Sequence, residues 1–76
     1  MYRAALALKV KELGAAHPDV GITLNNLGIL LANEGRIAEA EVCCERGWRL
    51  LRKSLGRNHP NSRAVRKNLE RLRRGL

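Results

Sequence analysis

Apolar residues recur along most of this 76-residue chain at intervals of three and four, the spacing that gathers them on one side of an α-helix. The central stretch shows this on both sides of a glycine. Leu24, Leu27 and Leu30 or Leu31 precede Gly35, and Ile37, Ala40 and Cys44 follow it. That pattern predicts two amphipathic helices joined by a tight turn, with Gly35 in the left-handed position just past the first. Gly28 falls inside that helix, where glycine costs about 1 kcal/mol against alanine. Close approach of a neighbouring helix would account for it. No run of alternating β-branched residues appears anywhere, so the expected class is all-α.

The same reading extends to four helices. The first spans 2–13, with Ala5, Leu6, Leu8, Val10 and Leu13 as its apolar residues, and Gly14 ends it. The second starts at Pro18 or Asp19, where proline suits the first turn and the carboxylate suits the positive end of the helix dipole. It runs to Gly35. The third covers 37–55, with a stripe of Ile37, Ala40, Cys44, Trp48 or Gly47, Leu51 and Leu55, and Gly56 ends it. The fourth starts at Pro60 or Asn61 and carries a narrow stripe of Val65, Leu69 and Leu72, with Leu76 as its next candidate. Trp48 is expected in the core rather than under a ligand.

An internal repeat links these segments. Leu13-Gly14…His17-Pro18 returns as Leu55-Gly56…His59-Pro60, an offset of 42 residues. At the same offset Leu8 pairs with Leu50, Lys11 with Lys53, Asn26 with Asn68, Leu27 with Leu69 and Leu30 with Leu72. The first and third helices are therefore equivalent, as are the second and fourth. The chain reads as one domain over 1–76: a half repeat at 1–14, a full helix pair at 18–56, and a half repeat or capping helix at 60–76. Recurrence of His17 and His59 at the repeat period argues for a structural role in the turn rather than metal binding.

Leu13-Gly14…His17-Pro18-Asp19-Val20, Leu24-Asn25-Asn26-Leu27-Gly28 and Gly35-Arg36-Ile37-Ala38-Glu39-Ala40-Glu41 together resemble the tetratricopeptide repeat, in its kinesin light chain type with a long period. The resemblance implies a right-handed helical-hairpin solenoid fragment and a role in protein–protein interaction, as a scaffold that holds a peptide in a concave groove. It places the groove face at Ile22, Asn25, Ile29, Ala32 and Asn33, with Asn26 at the edge. On the fourth helix the equivalent face carries Lys67, Arg71 and Arg74, with Asn68 beside them. An amide can clamp the backbone of an extended peptide, and a basic wall suits acidic side chains. The blander alternative is a solvated cationic face with amides that merely meet water. Cys44 stands where the family usually has an aromatic, Gly47 where it has alanine, and Arg66, Glu70 and Arg73 where it has apolar packing residues. The polar back of the fourth helix suggests a solubilising cap.

Charge sharpens this picture. Residues 1–45 carry four basic and six acidic groups, and residues 46–76 carry eleven and one, so the net +8 is the sum of −2 and +10. An acidic peptide partner fits that balance. Electrostatic binding of nucleic acid or an anionic membrane through the basic half is the alternative, weakened for nucleic acid by the scarcity of aromatics: one Trp, one Tyr and no Phe. A structural piece of a longer solenoid without its own ligand is a third. Cys43 and Cys44 are adjacent in a helix and point about 100° apart, which suits a reduced, buried pair and neither a disulfide nor a metal site. Nothing resembles a nucleophile–base pair or a phosphate loop, so neither an enzyme nor a cofactor is expected. No apolar run is long enough to span a membrane, and no signal-peptide pattern opens the chain, which points to the cytoplasm. Finally, the first helix lacks the preceding helix of its own repeat. That predicts a homodimer through Tyr2, Ala5, Leu6, Val10 and Leu13.

Overall fold

Two His-Pro pairs and two glycines mark out the helices. The computed structural model describes residues 17–75 and contains, among them, α1 (Pro18–Asn33), α2 (Ile37–Leu55) and α3 (Pro60–Arg73), with no strand. The expected helix over 2–13, and with it the expected dimer surface, lies outside the described residues. Three of the four expected helices are therefore described, not four.

Each His-Pro pair builds a helix start in the same way. His17 and His59 have extended backbones, and each Nδ1 accepts a hydrogen bond from the amide two residues on, Asp19 and Asn61, at 3.1 Å. The ring thus satisfies one of the orphan amides of the first turn, while Pro18 and Pro60 have none to satisfy. At the other end of α1, Gly35 takes φ 82°, and the Arg36 amide returns to the Leu31 carbonyl at 2.9 Å. The Gly35 amide meets the Ala32 carbonyl at 3.0 Å, so the last turn closes on itself.

The core follows the expected stripes. Leu24, Leu27 and Leu31 of α1 meet Ala40, Cys44 and Leu51 of α2, and Val65, Leu69 and Leu72 of α3 close over them. Burying each large side chain is worth roughly 1.5–3 kcal/mol. Leu31, not Leu30, belongs to the stripe: Leu30 stays exposed, whereas its repeat partner Leu72 is buried on the hairpin beneath α3. The α1–α2 crossing is close because side chains are missing there. A Cβ on Gly28 would sit 2.5 Å from the Cys44 Sγ, and one on Gly47 would sit 2.9 Å from the Gly21 carbonyl oxygen. Gly47 is thus required by backbone against backbone.

The polar back of α3 is more engaged than a solvated cap. Arg73 crosses to α2 and bonds Glu41 at 3.2 Å and Glu45 at 3.3 Å. Arg66 pairs with Glu70 at 3.3 Å and lies 5.9 Å from the centre of the Trp48 ring, with Arg52 at 5.7 Å. Trp48 is half-buried, packed on the core on one side and touched by guanidinium groups.

Candidate binding cleft

Helical periodicity brings the C-terminal half of α1 opposite the C-terminal half of α3, and a cleft of about 100 Å³ lies between them. Ile29, Ala32 and Asn33 form one wall, and Asn68, Arg71 and Leu72 the other. Gly28 and Cys44 reach the cleft from the α1–α2 crossing. Ile29 is 42% exposed, so an apolar side chain stands open at the mouth.

Of the residues expected in the groove, Ile29, Ala32, Asn33, Asn68 and Arg71 come together here. Asn25 is half-buried and turned towards α3, where its Oδ1 accepts from the Asn68 Nδ2 at 3.1 Å. The Cys44 thiol points at the same oxygen from 4.0 Å. This amide bridge ties α1 to α3 and leaves the Asn25 Nδ2 and the Asn68 Oδ1 without a protein partner among the described residues. Ile22 is half-buried and Asn26 is exposed, and neither lines the cleft. Lys67 borders a separate depression on the outer side of α3, and Arg74 lies just past the helix end. The expected basic wall therefore narrows to Arg71. At about 100° per residue, Lys67 and Arg74 sit roughly 40° and 60° further round α3, away from Asn68 and Leu72.

Arg71 is exposed and has no acidic partner among the described residues. The Cys44 thiol is pushed up from its ordinary 9.0 to about 11, by burial first and by neighbouring Cys43 second. It stays protonated at neutral pH and acts as an apolar surface rather than a nucleophile. No group of three or more His, Cys, Asp or Glu among the described residues could hold a metal ion. The cleft thus offers apolar surface, amide groups and one free cation.

The amide bridge and the reach of Arg73 to α2 could not be read from the sequence. They join side chains 28 to 43 residues apart, which no local period links. The offset of 42 residues does not point to the bridge either, since it pairs Asn68 with Asn26, whereas the bridge is made by Asn25.

A family model described as a tetratricopeptide repeat matches residues 20–61, more than half of the chain. The match runs from the first turn of α1 to the first turn of α3 and so takes in the whole hairpin. No curated protein matches the chain. No helix among the described residues is long and apolar enough to cross a membrane.

Proposed function

The chain belongs to the tetratricopeptide repeat family, and from that premise we propose that it holds an acidic, extended peptide in the cleft between α1 and α3, by binding alone and without catalysis. Such repeats mediate protein–protein interaction, and stacked hairpins leave a concave surface on which a partner lies. The observation that carries the reading is Arg71, an unpaired guanidinium beside an apolar floor and the Asn25–Asn68 amides. A guanidinium recognises a carboxylate with two parallel hydrogen bonds, and the amides can meet a peptide backbone whatever its side chains. Ile29 at the mouth would take an apolar residue next to the acidic one.

Fluorescence anisotropy with an Asp/Glu-rich peptide and its Lys-substituted control tests this. Arg71→Glu should weaken binding of the acidic peptide by about 1–3 kcal/mol, roughly fivefold to 150-fold, the range for losing a charge-assisted hydrogen bond. Unchanged affinity in that variant would remove the cleft assignment.

A further inference from the structure

The 42-residue offset also compares α3 with α1 on the face that receives the next helix. In α1 that face carries Gly21, Leu24, Gly28 and Leu31, against which α2 packs. The equivalent residues of α3 are Arg63, Arg66, Glu70 and Arg73. Glycines that permit close approach have become an arginine and a glutamate, and leucines have become arginines. A depression nevertheless persists there, lined by Pro60, Arg63, Ala64, Arg66, Lys67 and Glu70. Arg66 is held by Glu70 and Trp48, and Arg73 by Glu41 and Glu45. Arg63 and Lys67 have no acidic partner among the described residues, and both are exposed.

We propose that this outer face of α3 is a second docking surface, and that its partner is an acidic α-helix of another protein. An apolar helix is excluded, because packing it there would bury charged groups without counter-charges. Arg63 and Lys67 are four residues apart, so their side chains stand about 6 Å apart along the axis. Carboxylates at the same spacing on a facing helix match them pairwise. Pro60 and Ala64 give that helix a small apolar floor between the charges. A nucleic acid fits less well, because no aromatic lines the depression for base stacking. This surface is distinct from the cleft, since none of its lining residues is shared.

The test uses the full chain and a labelled synthetic helical peptide with glutamates repeated at intervals of four. Its controls are a scrambled peptide of equal charge, a duplex DNA oligomer and phosphatidylserine vesicles. The repeated-Glu peptide should bind better than its scramble. Arg63→Glu/Lys67→Glu should lose roughly tenfold in affinity, and Arg63→Ala/Lys67→Ala should lose less, with helical circular dichroism unchanged in both. Arg71→Gln, which removes the cleft cation without placing a carboxylate one turn from Lys67, should change this binding far less than either double variant, which separates the outer face from the cleft. Equal binding of peptide and scramble, tighter binding of DNA or vesicles than of the peptide, or insensitivity to both double variants would each overturn the proposal.

Discussion

At Cys44 a sulfur fills the space that Gly28 leaves open on the facing helix, and the thiol is fully buried. Its ionisation is therefore linked to folding. The unfolded thiol loses its proton near 9.0, while burial and Cys43 hold the folded one to about 11. Between those values the folded state keeps a proton that the unfolded state has released, so stability falls as pH rises. The contribution is complete below about pH 9 and is lost by about pH 11, on the order of 2–3 kcal/mol. Urea denaturation under reducing conditions should show the midpoint dropping across this window in the wild type. Cys44→Ala should drop less, since other alkaline groups titrate in both. Parallel curves would show that the buried thiol ionises as readily as a free one. Placing Cys44 on the core side needed only the helical period; that it faces a glycine needed the structure. Ser62, buried with its hydroxyl unpartnered where the preceding repeat has Val20, has no explanation in the structure.

The helices themselves are the most legible layer. Pro18, Ile37 and Pro60 were readable as starts, and Gly35 and Gly56 as stops, because proline and glycine constrain backbone torsions regardless of what packs nearby. The repeat of His-Pro pointed to a structural role for the histidines, and the Nδ1 bonds at 3.1 Å supply it. His59→Ala should cost about 1 kcal/mol, with a range of roughly 0.5–2, as other lost N-caps do. His59→Asp should retain most of that, since a carboxylate accepts the same amide and suits the dipole. Thermal unfolding of both variants separates capping from packing, because a packing role would penalise Asp as much as Ala. The cleft was less legible than the helices. Steps of 100° put Lys67 and Arg74 within about 60° of Arg71, close enough to share a broad face, but they cannot say how narrow the cleft between α1 and α3 is, and only Arg71 of the three lines it.

Across the whole molecule, charge is sorted rather than spread. Glu34, Glu39, Glu41, Glu45 and Glu70 all have arginine partners, so the excess of +8 collects on groups with none, among them Arg63, Lys67 and Arg71. Two opposed effects follow when salt is added. Screening weakens the pairs, among them Arg73 with Glu41 and Glu45, which tie α3 to α2. It also weakens repulsion among the unpaired cations. The Arg73 pairs are exposed by 38–50%, and such pairs are worth about 0–1 kcal/mol each. On α3, Arg63–Lys67 and Lys67–Arg71 are like charges at four-residue spacing, each costing roughly 0.2–0.5 kcal/mol, and longer-range repulsion from the net charge adds to them. Repulsion extends over about 30 Å at 0.01 M salt but only about 10 Å at 0.1 M, so it is the larger casualty of screening. The melting temperature should therefore rise between about 10 mM and 300 mM sodium chloride, and Arg63→Glu/Lys67→Glu should flatten that rise. A fall in melting temperature over the same range would mean that the weakened ion pairs outweigh the relieved repulsion.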